Sequence, residues 1–221
     1  MHKTIEPKIL YFGTPVVLIS TLNENGTANL APMSSAWWLG QSCMLGMSRF
    51  SQTVQNLERE RECVLNIPSA DLVSIVDKLA LLTGKNPVPK YKEKMGYRYE
   101  PNKFEIADLN GTPSELVKAP RVTECPVQLE AIVENINSLQ DPKSSLAAIE
   151  VSIKRVHVDE NILIDGEKNY IDPEKWNPLI MSFCEFFGLS GKLHPSKLVP
   201  AFGLPHNKEN LRDKTELETM K

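Results

Sequence analysis

Thr27-Ala-Asn-Leu-Ala-Pro-Met-Ser-Ser-Ala-Trp-Trp-Leu-Gly-Gln-Ser-Cys-Met-Leu-Gly-Met-Ser-Arg-Phe-Ser-Gln-Thr-Val-Gln-Asn-Leu57 contains one formally charged side chain, Arg49, in thirty-one residues. The whole chain is 24% charged, so about seven charges would be expected there. Small neutral polar residues replace them: Asn29, Ser34, Ser35, Ser48, Ser51, Gln52, Thr53 and Asn56, interleaved with Trp37, Trp38 and three methionines. Such a segment is neither a solvated face nor a uniform apolar core. It offers many hydrogen-bonding groups, little competing charge, and one arginine beside a run of hydroxyls. That composition suits a flat, polar, phosphate-bearing ligand held against backbone.

The segment is entered through Val16–Leu22, a β-branched-rich run closed by the turn signal Asn23-Glu-Asn-Gly26. Thr27–Ala31 can return as the second arm of a hairpin, with Pro32 expected to prevent its simple continuation. Ser34–Leu39 and Cys43–Ser48 read as further short strands, Thr53–Glu60 as a helix, and Cys63–Ile67 as a strand stopped by Pro68. Ser69 is placed to cap a helix whose apolar positions are Leu72, Ile75, Val76, Leu79 and Leu82, ending at Gly84. From Lys85 to Pro120 there are five prolines and little periodicity, with a basic-aromatic patch from Lys90 to Tyr99. So long an irregular segment is more often a functional excursion than an idle connection. Val127–Ile136 and Leu146–Val158 alternate as strands, the second with a phase shift between Ile153 and Val156 that predicts a bulge. Glu174–Phe187 is expected to be helical around Trp176, Leu179, Ile180 and Phe183. Many short strands with a few helices and no βαβ rhythm predict a mainly β fold, an antiparallel barrel with attached helices.

At 221 residues with net charge −3, the chain suits one large domain, expected over 1–205, followed by a charged tail, 206–221, free or packed on a partner subunit. Mixed charge and the lack of a Lys/Arg run give no support to nucleic-acid or anionic-membrane binding. Cys43, Cys63, Cys125 and Cys184 are far apart and flanked by apolar residues, which predicts buried free thiols in a reducing compartment and no metal site. The first residues lack the apolar core of a signal peptide and no run approaches a membrane span, so a cytoplasmic protein is expected.

No Rossmann or P-loop glycine pattern, GxSxG elbow or HExxH helix occurs. The positive signal is Ser48-Arg-Phe-Ser-Gln-Thr-Val-Gln-Asn56. A helix starting near Ser51 presents unpaired N–H groups and its dipole to an anion. Arg49 adds a planar fork of donors suited to phosphate, and Thr53 and Asn56 share one helix face. The plain alternative is a surface arginine beside an ordinary cap. Asn29-Leu-Ala-Pro-Met-Ser-Ser35 reads either as a simple β-bend or, beside an anion site, as free backbone for the edge of a heterocycle. Trp37 and Trp38 are core, interface or stacking aromatics, and the Lys85–Tyr99 patch is a solvated loop or a contact for an anionic second substrate.

In their order and spacing, several pieces resemble the flavin reductase-like, FMN-binding split-barrel family. They are Pro15–Thr21, the Asn-Glu-Asn-Gly turn, Asn29–Ser35, Ser48-Arg49 with Thr53 and Asn56, and Cys63–Pro68. The likeness continues through Lys103-Phe104, Ser114–Pro120, Glu124–Ala131 and the strand ending Val156-His-Val158, and covers roughly residues 10–165. This resemblance implies a homodimer of split barrels with FMN near the subunit interface. Asn29, Ala31, Pro32, Met33, Ser34 and Ser35 would meet the isoalloxazine edge and ribityl chain; Ser48, Arg49, Ser51, Thr53 and Asn56 would hold the phosphate. It further implies NADH or NADPH as hydride donor and a free flavin, a partner oxygenase or another electron acceptor. An FMN-binding electron carrier of flavoredoxin type, without its own NAD(P)H activity, is the alternative. His157 matches a family position near the flavin; a structural strand-end histidine is the other reading.

Overall fold

The structure, a computed structural model, describes residues 1–141 and 144–205. The expected charged tail, 206–221, lies outside the described residues.

β1 (Phe12–Pro15) and β2 (Val17–Leu22) lead into the Asn23–Gly26 turn. There Gly26 adopts φ +79 and donates its N–H to Asn23 O at 2.9 Å. β3 (Ala28–Met33) returns antiparallel to β2, with Asn29 opposite Thr21. Pro32 does not interrupt β3 but pairs with Leu18 inside it. β3 is an edge strand, where the N–H that proline lacks is not needed for a second ladder. β4 (Ala36–Leu39) and β5 (Ser42–Ser48) follow as expected. α1 (Gln52–Glu60) is capped by the Ser51 side chain, which accepts from Val54 N at 3.2 Å, and is ended by Arg61 at φ 60. β6 (Glu62–Ile67) completes the first half.

The helix expected after Ser69 is shorter than its apolar spacing suggested. A 3-10 turn over Ala70–Leu72 precedes α2 (Val73–Lys78), and Ser69 makes no side-chain cap hydrogen bond. Leu82 then leaves the helix for β7 (Leu82–Thr83), burying itself in the core beside Leu79 instead of extending the helical stripe. The irregular stretch holds more structure than its prolines predicted: α3 (Lys90–Lys94), β8 (Arg98–Tyr99), α4 (Lys103–Ala107) and β9 (Gly111–Thr112). β10 (Arg121–Val122), β11 (Val127–Ser138) and β12 (Leu146–Val158) come next. The predicted bulge is present: Glu130 faces Arg155 and Ala131 faces Ile153, so Lys154 is the extra residue.

Glu174–Phe187 is not helical. Its C-terminal half forms β13 (Ile180–Ser182), which pairs with β1, and β14 (Glu185–Phe187). Phe183 and Cys184, at φ 48 and 67, make the tight turn between them. Met181 and Phe186 pack on a buried cluster that includes Val16, Leu18, Val76, Leu79 and Leu179. That burial outweighs local helical spacing, and Pro178 already bars a continuous helix. A smaller unit comprises, among the described residues, 159–176 and 190–205. Within it Asp159 accepts from Asn161 N, Leu163 bridges Ile171, Lys175 meets Asp165 at 2.6 Å, and α5 (Leu198–Ala201) forms one short turn.

Seven strands form one antiparallel sheet in the order β3-β2-β6-β11-β12-β5-β4. Laid flat, strands about 4.8 Å apart would place its edges roughly 29 Å from each other. Those edges, β3 and β4, are consecutive in the chain and joined by Ser34 and Ser35 alone, a link that reaches roughly 10 Å. The sheet must therefore roll up until its edges meet, giving a barrel that stays split between β3 and β4. Alternation in β12 buries Ala147, Ile149, Val151 and Ile153 in its interior.

Glu130 breaks the apolar pattern of β11 with a fully buried carboxylate. It accepts from the backbone N–H of Glu115 at 2.9 Å, Leu116 at 2.6 Å and Val117 at 3.2 Å. His157 Nε2 lies 2.7 Å from the same carboxylate. Burial pushes this carboxyl up, but the backbone N–H groups of Glu115 and Leu116 and the His157 contact outweigh it and hold it below its ordinary value. The unfolded chain thus takes up the proton first as pH falls, and Glu130's contribution to stability is lost through the acid range below about 4.5. Glu130→Gln is expected to cost about 2–3 kcal/mol near neutrality, and urea unfolding against pH should show a shallower acid loss than wild type. An unchanged acid slope would remove Glu130 from this role.

Candidate functional site

The split in the barrel opens into a cavity of about 920 Å³. One wall is the end of β3 with the β3–β4 link, Ala31 to Ser35; another is the end of β5 with the start of α1, Ser48 and Ser51 to Thr53. These two segments meet here because the β4–β5 hairpin extends one pair beyond Ala36–Leu45, setting Ser35 opposite Gly46 near the end of β5. Gly46 N donates to Ser35 O at 2.8 Å, and a Cβ on Gly46 would come within 3.2 Å of Ser35 Cβ. The third wall comes from α2, β7 and α3, through Val76, Leu82, Gly84, Tyr91 and Tyr97.

Of the residues predicted from sequence, Ala31, Pro32, Met33, Ser34, Ser35, Ser48, Ser51 and Thr53 line this cavity. Asn29 and Asn56 do not; both are buried behind its wall. Asn29 Nδ2 donates to Thr21 Oγ1 at 3.3 Å and Thr53 Oγ1 at 3.2 Å, while Asn56 Nδ2 donates to Thr21 Oγ1 and Asn23 Oδ1, each at 3.0 Å. This network locks α1 onto the β2–β3 hairpin and so sets where Ser51 and Thr53 stand. Arg49 is also off the cavity surface. Its guanidinium donates to Ser138 Oγ at 3.1 Å and pairs with Glu58 at 3.4 Å, with about a third of the side chain exposed. His157 is held against Glu130 and does not line the cavity.

Lys103, one of the residues that carry the family resemblance but not one of the expected site residues, lines the cavity. It is buried and donates to Asn29 Oδ1 at 3.2 Å and Leu30 O at 2.9 Å, without a carboxylate partner among the described residues. Burial, and secondarily the charge of Lys92, push its amine down to about 8, Glu100 opposing with a smaller effect. The position of α4 over β3 brings this lysine to the cavity, and no periodicity in the sequence marks it. Gly84 completes the arrangement: a Cβ there would approach Asn29 Oδ1 to 2.5 Å, displacing the acceptor that Lys103 uses.

Cys43, Cys63 and Cys125 are buried as expected, and burial pushes the Cys43 thiol up to about 12. Cys184 departs from that expectation: it is exposed in the β13–β14 turn and borders the cavity, because this segment is a hairpin and not a helix. Trp37 points outward from edge strand β4, 57% exposed, and Trp38 turns inward with its Nε1 buried and unpaired among the described residues. Neither lines the cavity. Among the described residues no cluster of His, Cys, Asp or Glu has metal-binding geometry, and no helix is long and apolar enough to cross a membrane.

A sequence profile described as "Flavin reductase like domain" matches residues 9–173. The uncharacterized protein YdfE of Bacillus subtilis (strain 168) is 42% identical over 187 residues, spanning 85% of this chain and 89% of that protein. An uncharacterized protein of Methanothermobacter thermautotrophicus is 30% identical over 171 residues, 76% of this chain and 73% of its own length. Among solved structures, flavoredoxin of Desulfovibrio vulgaris superposes with a TM-score of 0.73 at 22% identity, covering 89% of this chain and 98% of that one. Nitrilotriacetate monooxygenase component B from Bacillus cereus gives 0.70 at 18% identity, covering 88% and 99%. With a rolled, split antiparallel sheet and a profile match over most of its length, the chain belongs to the flavin reductase-like family.

Proposed function

We propose that this protein is an FMN-binding oxidoreductase, an NAD(P)H-dependent flavin reductase whose cofactor lies in the split of the barrel. The observation that carries this reading is the meeting of Ala31–Ser35 and Ser48–Thr53 in one cavity. The residues present fit the group. Ser48, Ser51 and Thr53 offer hydroxyls at the start of the nine-residue helix α1, where N–H groups and the helix dipole favour a phosphate. Ala31 to Ser35 are small or backbone-presenting and suit the edge and ribityl chain of a flat ring, with Asn29 holding Lys103 and Thr53 in place from behind. In this reading Asn56 acts through the same network, by anchoring α1.

Arg49 joins the phosphate set by exchange. Its contact with Glu58 is a half-exposed pair, worth under about 1 kcal/mol, whereas a bidentate guanidinium–phosphate contact is stronger. The protein's part is to bind, orient and shield from water; FMN, when bound, supplies hydride acceptance from a nicotinamide and electron delivery to an acceptor. The acceptor is a free flavin, a partner oxygenase or another molecule. The oxygenase option is supported by the two component B proteins of nitrilotriacetate monooxygenase among the similar folds. The carrier reading is supported by the flavoredoxins of Desulfovibrio vulgaris and Methanosarcina acetivorans.

A homodimer belongs to the same proposal. Edge strand β4 and its surroundings expose Trp37 at 57%, Leu39 at 76% and Phe12 at 74%, an apolar band that a second copy would cover.

Three measurements test these assignments. Anaerobic mixing of the FMN-loaded protein with NADH, then NADPH, is expected to bleach the flavin with at least one of them. No bleaching with either leaves the electron-carrier reading in its place. Arg49→Ala should weaken FMN binding about tenfold or more in a fluorescence titration while leaving the urea midpoint near wild type. Unchanged affinity takes Arg49 out of the phosphate set. In sedimentation velocity the wild type should run as a dimer and Trp37→Glu as a monomer; a monomeric wild type rejects the dimer.

A further inference from the structure

We propose that Lys92 and the ring of Tyr97 bind a second substrate in the same cavity: an aromatic molecule bearing a carboxylate or sulfonate. This rests on the flavin reading above and adds to it what the third wall of the cavity is for. Four residues of the α3 region, Tyr91, Lys92, Met95 and Tyr97, face the cavity. The Lys92 ammonium sits 5.2 Å from the centroid of the Tyr97 ring. It is half-buried and has no ion-pair partner among the described residues.

Charge complementarity identifies the occupant. The lining contains two lysines, Lys92 and Lys103, and no aspartate or glutamate. Two cations facing a partly enclosed space repel one another, and the depressed Lys103 amine registers that repulsion after the larger effect of burial. Tyr97 is no counterion: burial pushes its hydroxyl above its ordinary value, so the ring stays neutral. A cation without a counterion in a site of reduced dielectric is ready for an anionic ligand.

The aromatic part of the assignment comes from what surrounds the charge. Leu81 and Met95, 50% and 63% exposed, stand at this wall beside the faces of Tyr91 and Tyr97. A flat ring would cover these apolar groups while its acidic substituent reaches Lys92. At about 920 Å³ the cavity is near the top of the range for small-molecule sites, roughly 300–1,000 Å³, which suits two reactants better than one. Tyr91 Oη lies 3.5 Å from Ser48 Oγ, so this wall adjoins the hydroxyls assigned to the flavin phosphate. The FMN affinity of a Lys92 variant distinguishes a contact to the second substrate from one to the flavin phosphate.

The FMN-loaded protein is titrated with 2-naphthoate and with 2-naphthamide, redox-inert probes of one ring system that differ in charge. Binding is followed by calorimetry and by perturbation of flavin absorbance. The naphthoate is expected to bind about two- to fivefold more tightly at low salt, an advantage that added salt erodes. Lys92→Gln should abolish the advantage while changing FMN affinity by less than about twofold, and Lys92→Glu should reverse it, within the range of single charge contacts. Equal affinity for the two probes overturns the proposal, as does a Lys92→Gln variant that keeps the naphthoate preference. A Lys92→Gln variant that loses FMN as strongly as it loses naphthoate assigns Lys92 to the flavin phosphate and also overturns it. Failure of the wild type to take up FMN appears at the loading step, before any probe is added, and removes the flavin reading together with this one.

Discussion

Closure of a seven-stranded sheet by a two-residue link is the constraint on which the rest of this structure depends. Ser34 and Ser35 connect the two opposite edges of the sheet, so a flat or open arrangement is beyond their reach. Rolling the sheet brings edge strands β3 and β4 together at the link without pairing them along their length. What remains between the edges is a slot lined by backbone and small polar side chains. Elsewhere an unpaired edge is a liability; here it furnishes the candidate binding surface.

A second layer keeps that slot in shape. Thr21, Asn29, Thr53 and Asn56 form a buried hydrogen-bonded set joining the β2–β3 hairpin to α1. Buried polar groups are tolerated only when satisfied, and a fully satisfied set rigidifies what it joins. Lys103 extends this set to α4 and brings an amine to the cavity wall. At the opposite side of the barrel, Glu130 fastens the 115–117 loop by three backbone hydrogen bonds and receives His157 as a fourth contact. The histidine thus supports the scaffold, and the hydroxyls and lysines face the cavity.

Charge distribution separates the parts of the cavity. Hydroxyls and a helix start mark one region, suited to a phosphate. Lys92, Tyr91 and Tyr97 mark another, contributed by a segment whose prolines and mixed composition gave it no periodic pattern. Both regions belong to one cavity because α3 folds back until Tyr91 reaches Ser48.

Local chemistry in the sequence by itself determined the hairpin at Asn23–Gly26, the cap at Ser51, the long alternating strands and the bulge at Lys154. Each of these depends on neighbours a few residues away: a glycine that adopts positive φ, a hydroxyl three residues from the N–H that donates to it, a period of two. The same local reading also picked out Ser34, Ser35, Ser48, Ser51 and Thr53, because charge is missing around them. Tertiary structure alone decided matters that depend on distant partners. Pro32 sits inside a strand because that strand is an edge, and residues 180–187 form a hairpin because Met181 and Phe186 find a buried cluster. Asn29 and Asn56 stand behind the cavity wall because the packing of α1 on β2 engages their amides. Lys92 and Lys103 became cavity residues only when helices from an unpatterned segment were laid against the split. Periodicity reports which face of an element is buried; it carries no information on which distant element will bury it.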